Sequence, residues 1–173
     1  MGKGISGVLA AAALWLAHAQ AQTSLGQINI QLYGNIVDFT CVAEGSDSDK
    51  TVQLGRWPTK QLRTAGSRTQ AIPFTLKLTG CPPGTASVTF SGHADANDSQ
   101  LLALNDASQA RAVAVEILDG NKTRLSLQQA SREVIVDAAG NAELVFYANY
   151  IATADNPQPG RADADATFMI NYN

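Results

Sequence analysis

A strict period of two runs through the stretch Phe74-Thr75-Leu76-Lys77-Leu78-Thr79-Gly80-Cys81. Its apolar side chains fall on one face of an extended chain, and Thr75, Lys77 and Thr79 fall on the other. The same alternation recurs, between short turn-rich intervals, at residues 31–42, 52–54, 72–78, 88–90, 101–104, 113–118, 134–136, 144–151 and 162–172. No segment has the 3.6-residue period of an amphipathic helix. The sequence therefore predicts an all-β domain.

Turn residues support this interpretation. Asp119-Gly120-Asn121 is expected to close a hairpin between residues 113–118 and 123–127, with glycine taking a positive φ. Ala139-Gly140-Asn141 is expected to do the same before Leu144. Residues 44–50, 93–100 and 156–160 are polar or rich in Pro and Gly and read as loops. Many short strands in one chain favour an immunoglobulin-like sandwich.

Composition excludes several classes of protein. The chain has 173 residues, 45% hydrophobic and 16% charged, with a formal charge of −3, two cysteines and two histidines. It is too apolar for a disordered protein, and it lacks the basic excess of a nucleic-acid-binding surface. Two cysteines and two histidines are too few for a four-thiolate zinc site or a His-rich metal centre. The length suits one sandwich domain.

Residues 1–21 are expected to form a cleaved signal peptide. Lys3 supplies the positive start, residues 5–16 form an apolar run too short to span a bilayer, and small residues follow at cleavage spacing. Cleavage is expected after Ala21, with Ala19 as the alternative. Removal takes away Lys3, so the exported chain carries a charge of −4 and is expected not to insert into a membrane.

The two cysteines form an even pair in an exported chain. In an oxidising compartment a disulfide between Cys41 and Cys81 is the expected state. Two free thiols or a metal pair are the alternative, although no CxxC spacing or neighbouring histidine supports them.

A search for chemistry finds no catalytic site. His93 is the single histidine after residue 21, and no Gly-x-Ser-x-Gly motif supplies a nucleophile for it. Asp95, Asn97 and Asp98 lack the spacing of an EF-hand, so a turn-forming loop is expected there rather than a calcium site. The sequence predicts a non-enzymatic protein without cofactor or metal.

Both ends of the exported chain alternate in a way that a closed domain would not require. Near the start, Ile28, Ile30 and Leu32 project to one face together with Gly26. Near the end, one face carries small residues first and large ones last, namely Gly160, Ala162, Ala164, Ala166, Phe168, Ile170 and Tyr172. An unpaired apolar strand is an aggregation hazard unless a partner covers it.

With these features the chain resembles the subunits of chaperone–usher pili, the fimbrial proteins of Gram-negative bacteria. The resemblance covers the whole exported chain. It rests on the following features: the alternating arm with Gly34 seven residues before Cys41, Cys81 at the end of a strand, residues 146–152, Gly160 fourteenth from the end and a penultimate Tyr172. Met169-Ile170-Asn171 departs from a commoner Thr/Val-rich terminal strand but keeps the alternation.

The resemblance implies an immunoglobulin-like sandwich that lacks its seventh strand and is completed by a donor strand from a neighbouring subunit. Residues 22–34 would be the donor-strand extension and residues 35–173 the pilin domain. Gly26, Ile28, Ile30 and Leu32 would be donor residues; Gly160, Phe168, Ile170 and Tyr172 would form the acceptor edge and the chaperone interface. The implied partners are a periplasmic chaperone, an outer-membrane usher and neighbouring pilins, and the implied location is a fimbria on the cell surface.

Two other interpretations remain open at this point. One is a secreted carbohydrate-binding adhesin module, for which only Trp57 offers an indole after residue 21. The other is a closed sandwich whose two ends are ordinary edge strands.

Overall fold

The computed structural model describes residues 41–45 and 47–173. Seven β-strands and one short 3-10 helix follow one another in this part of the chain. They are β1 (Val42–Ala43), the 3-10 helix (Thr59–Leu62), β2 (Ile72–Thr79), β3 (Thr85–Gly92), β4 (Val113–Leu118), β5 (Val134–Ile135), β6 (Ala142–Ala152) and β7 (Ala166–Tyr172). None of the described helices is long and apolar enough to cross a membrane.

The strands form two antiparallel sheets. One has the order β1-β2-β6-β4 and the other the order β5-β3-β7. These orders match the A-B-E-D and C-F neighbours of an immunoglobulin-like sandwich, with β7 in the place of strand F. The seventh strand of such a sandwich would pair with the outer side of β7. Within the described residues no strand pairs there.

The core lies between the sheets. Its largest fully buried apolar side chains are Phe146, Leu76, Leu78 and Val88. Four rings link the two sheets in a row: Phe168 to Phe90 at 6.4 Å between centroids, Phe90 to Phe146 at 5.0 Å, and Phe146 to Phe74 at 5.6 Å. Alternation in the sequence thus predicted the inward face of each main strand.

The disulfide between Cys41 and Cys81 is formed, and no described cysteine is free. It lies at the end of the sandwich where β1 begins and β2 ends, called here the disulfide end. The opposite end, where β6 ends and β7 begins, is called the far end.

Three predicted strands are wrong as strands. Residues 52–54, 101–104 and 123–127 form no ladder, although Leu102 and Arg124 make isolated bridges. The last strand starts at Ala166 rather than near residue 162, because residues 161 and 163 bond through their C=O groups to the loop before β4 instead of to β3. An alternating pattern shows which side chains face inward but not whether a backbone partner is present.

One predicted turn is right in position and wrong in conformation. The Asp119 N–H donates to the Thr123 C=O at 2.9 Å, so the chain does reverse there. The positive φ falls on Lys122, at 63°, and not on Gly120. At the other turn Gly140 has φ 79°, as expected.

Candidate strand-acceptor groove

On the outer side of β7, backbone groups have no strand partner in the part of the chain that the structure describes. Thr85 and Asn173 exchange two N–H···O=C hydrogen bonds of 3.0 Å, which fixes the phase of the β3–β7 ladder. Since bonded and non-bonded pairs alternate in an antiparallel ladder, Thr167, Met169 and Asn171 bond to β3. Their even-numbered neighbours direct N–H and C=O groups away from β3. These neighbours are Ala166, Phe168, Ile170 and Tyr172.

The same residues turn apolar side chains toward the core without being covered. Phe168 and Ile170 pack against the main core cluster but are only half-buried. Their partners across the ladder, Phe90 and Val88, are 5% and 0% exposed. The difference arises because β3 has a strand on each side and β7 has one. Tyr172, opposite Ala86 at the disulfide end, is half exposed.

Residues 51–54 also direct apolar side chains toward the region where Phe74 packs. Exposure alternates along this segment, so that Val52 and Leu54 are half-buried while Thr51 and Gln53 are exposed. Leu54 packs against the same cluster as Phe74 and Ala164. A cavity of about 570 Å³ is lined by residues 50–53 and by residues 72–75 of β2. Residues 51–54 have no strand partner among the described residues, although the faces of the predicted strand are right.

We interpret these features as a groove, called here the acceptor groove. Its two sides would be β7 and residues 51–54, with the half-buried Phe74, which packs in the core clusters of both, at its base. Near the far end the Tyr150 hydroxyl donates to the Ala162 C=O at 2.7 Å, which ties the segment before β7 to β6. Burial of the ring, and then the charge of Asp163, raise the pKa of Tyr150, so its hydroxyl keeps its proton.

Gly160 does not lie on β7. A Cβ at this position would be 2.5 Å from the Ala110 N and 2.6 Å from the Gln109 carbonyl carbon. Glycine is therefore required for close approach of two backbones at the far end. Of the four predicted acceptor residues, Phe168, Ile170 and Tyr172 share one strand edge and Gly160 is apart from them. The predicted donor residues Gly26, Ile28, Ile30 and Leu32, like the signal peptide, lie outside the described residues.

Sequence reasoning missed a buried carboxylate on β4, a strand of the four-stranded sheet. Glu116, in the middle of β4, is 1% exposed. It accepts hydrogen bonds from the Arg68 Nε at 2.7 Å, the Arg124 Nε at 2.7 Å and the Asn149 Nδ2 at 3.3 Å. Burial raises the pKa of Glu116, but hydrogen bonds from Arg68, Arg124 and Asn149 and the charge of Arg68 together lower it by more, so the net shift is downward. A single acidic residue inside an apolar run was the available signal.

Two features of the surface bear on a sugar-binding or a metal-binding role. The Trp57 indole is half-buried and donates to the Leu54 C=O at 2.6 Å, so its N–H is already used. Within the described part of the chain, no group of three or more His, Cys, Asp or Glu residues is placed to hold a metal ion.

A comparison with known families identifies the chain. The family described as "Fimbrial protein" matches residues 30–173. The chain belongs to this family. It is 59% identical over 155 residues to the fimbrial-like protein FimF of Salmonella typhimurium, with 90% of each chain covered. It is 35% identical over 160 residues to the type-1 fimbrial protein A chain of Escherichia coli K12, covering 88% of this chain and 87% of that one.

A solved structure shares the fold of this fimbrial protein. A chain of a chaperone–usher pilus, studied for the uncoiling of its rod, superimposes with a TM-score of 0.64 at 19% identity. The match covers 87% of the present chain and 98% of that chain. The fimbrial protein thus has the incomplete immunoglobulin-like fold of pilins and is a structural subunit of a surface fimbria.

Proposed function

We propose that this fimbrial subunit accepts the N-terminal arm of a neighbouring subunit in its acceptor groove and offers its own arm to the next one. One observation carries the proposal. Phe168, Ile170 and Tyr172 direct backbone groups to the side of β7 where no described strand pairs, and their apolar side chains are only partly buried. A strand added there would satisfy both, which is β-strand addition.

The orientation of the incoming strand follows from the fold. A complete immunoglobulin-like sheet is antiparallel, so the added strand runs opposite to β7. Its apolar residues must face the core, which restricts the register to steps of two residues. One allowed register places the smallest residue of each strand opposite a large one. It pairs Gly26 with Tyr172, Ile28 with Ile170, Ile30 with Phe168 and Leu32 with Ala166.

The energy of such a contact is sufficient for a stable joint. Burying Ile28, Ile30 and Leu32 contributes about 5–9 kcal/mol, at roughly 1.5–3 kcal/mol for each side chain. Backbone hydrogen bonds along β7 add about 0.5–1.5 kcal/mol each. The arm and the groove are different surfaces, so the contact does not close on itself and generates a filament.

An empty groove exposes a strand edge, which needs an occupant before assembly. The chaperone–usher resemblance supplies one: a periplasmic chaperone lends a strand to β7, and exchange for the arm of the next subunit takes place at an outer-membrane usher. Phe168, Ile170 and Tyr172 would then contact the chaperone first and the arm later.

A pair of substitutions on one strand tests the proposal. A fluorescent peptide of residues 22–34 is added to the purified subunit, and binding is followed by anisotropy. Ile170→Thr removes apolar surface inside the groove and should weaken peptide binding by about tenfold or more. Met169→Thr is the control, because Met169 is 60% exposed on the opposite face of β7. Equal affinity of the two variants would contradict the assignment of β7 as the acceptor edge.

A further inference from the structure

Three cations close together in sequence, called here the basic strip, lie in and next to the 3-10 helix near the far end of the sandwich. Arg56, Lys60 and Arg63 are all exposed, and none forms an ion pair with a described carboxylate. The strip has a fixed position because Leu62 is buried in the core and the Asn156 N–H donates to the Arg63 C=O at 2.8 Å.

The basic strip begins at the mouth of the acceptor groove. Leu54, on one side of the groove, packs against the cluster that also holds Ala164. Arg56 follows two residues later. A chain that leaves the groove at the far end therefore passes close to Arg56.

The subunit that donates an arm presents its disulfide end. Its β1 pairs antiparallel with the end of β2, with Val42 opposite Thr79, so a preceding segment joins the domain at that end. In the proposed register Leu32 lies opposite Ala166, near the far end of the accepting subunit. Leu32 and Cys41 are nine residues apart, which limits their separation to about 30 Å. The disulfide end of the donating subunit therefore lies within about 30 Å of the far end of the accepting one.

The disulfide end carries an ionised carboxylate. The Cys81 N–H donates to the Gly140 C=O at 2.9 Å, which holds the turn of residues 137–141 against the disulfide. In this turn Asp137 is exposed, and its Oδ1 accepts N–H bonds from Asn141 at 2.8 Å and from Ala139 at 2.9 Å. These backbone hydrogen bonds lower the pKa of Asp137, so it remains charged well below neutral pH.

We propose that the basic strip of one subunit receives the Asp137 turn at the disulfide end of the next, a second copy of this chain being the simplest partner. The inference rests on the proposed function, since arm exchange brings these two ends together. Opposite charges at the two ends speed encounter and orient the incoming subunit before its arm enters the groove. Exposed charges interact over about 10 Å at 0.1 M salt, so the effect weakens as salt rises.

The experiment compares an isolated arm with a whole subunit as the donor. The accepting subunit is wild type, or carries Arg56→Gln, Lys60→Gln and Arg63→Gln together. A matched control removes three exposed cations outside the basic strip: Lys77→Gln, Lys122→Gln and Arg132→Gln. Donors are the peptide of residues 22–34, the whole subunit, and the whole subunit with Asp137→Asn, which keeps an acceptor oxygen for the turn. Entry into the groove is timed at low and high salt.

Neutralising the basic strip should slow entry of the whole subunit by about three- to tenfold at low salt, with the difference vanishing at high salt. Peptide entry should not change, and the control variant should behave as wild type. A donor subunit with Asp137→Asn should enter the wild-type groove more slowly than the wild-type donor does. With the neutralised basic strip as acceptor, the same substitution should change the entry rate little. An unchanged rate for the whole subunit, or equal slowing of the peptide, would overturn this proposal. If the peptide fails to enter the wild-type groove, the proposed function itself is wrong.

Discussion

Replacing Glu116 with glutamine should destabilise the sandwich, and the effect should depend on pH. The carboxylate accepts four hydrogen bonds, two from Arg68, one from Arg124 and one from Asn149. Glutamine keeps one acceptor oxygen and turns an NH2 group toward one of the arginines. Hydrogen bonds to charged groups contribute about 1.5–3 kcal/mol each.

The loss of stability is smaller than the summed energy of these hydrogen bonds, because the partly exposed arginine side chains can form hydrogen bonds with water instead. The side chains of Arg68 and Arg124 are 49% and 27% exposed. We therefore expect Glu116→Gln to lower the free energy of unfolding by about 2–3 kcal/mol at pH 7. For a domain of this size that lowers Tm by about 5–10 °C.

The sign of the pH dependence follows from the lowered pKa of Glu116. Because the folded state holds the carboxylate ionised below its ordinary pKa of 4.5, the unfolded chain takes up a proton first as pH falls. The stabilisation is therefore complete well above pH 4.5 and is lost as pH falls through the folded pKa. The difference in Tm between wild type and Glu116→Gln should be widest at neutral pH and narrow in acid.

Thermal unfolding is followed by circular dichroism, with the groove filled by the peptide of residues 22–34 in every sample. Glu143→Gln is the control, since Glu143 is exposed on the neighbouring strand β6. Equal Tm values for wild type and Glu116→Gln at pH 7, or a difference that does not change between pH 7 and pH 3, would refute the argument from the two arginines.

Two further predictions concern the ends of the sandwich. Replacing Cys41 and Cys81 with alanine removes a disulfide between residues 40 positions apart in sequence and should lower the free energy of unfolding by about 4 kcal/mol. Urea unfolding with and without reductant measures this change, and an unchanged midpoint would contradict it. Gly160→Ala should cost about 1–3 kcal/mol, because its Cβ would meet backbone at 2.5 Å. Gly45→Ala is its control, with no atom within 4 Å, and similar Tm values for the two variants would argue against the steric role of Gly160.

Alternation in the sequence was enough to predict the inward faces of the sandwich. It succeeded for β2, β3, β4 and β6 because each pairs along most of its length with a neighbouring strand. It failed at residues 52–54, where the faces are right but the backbone has no strand partner among the described residues. A β-strand is defined by pairing between two neighbouring segments, whereas a period of two describes the side-chain faces of one segment only.

The acceptor site was predictable in part for the same reason. Phe168, Ile170 and Tyr172 could be named because large apolar residues alternate to the end of the chain. Gly160 stands in that alternation by coincidence, since its position is set by the backbone of residues 109–110. The predicted hairpin at residues 119–121 brings Arg124 close to Glu116. Nothing in the local pattern could bring Arg68 there, because residues 68 and 116 are 48 positions apart in sequence.

The phase of the β3–β7 ladder also limits the possible spacing between subunits along a fibre. Groups that bond outward and side chains that face inward belong to the same residues of β7, so a seated chain can shift only by pairs of residues. Each allowed shift is about 6.6 Å, twice the rise of one residue in a strand. The axial repeat of a fibre built on this edge can therefore change only in discrete steps of this size. Small errors in subunit spacing have no stable position to occupy.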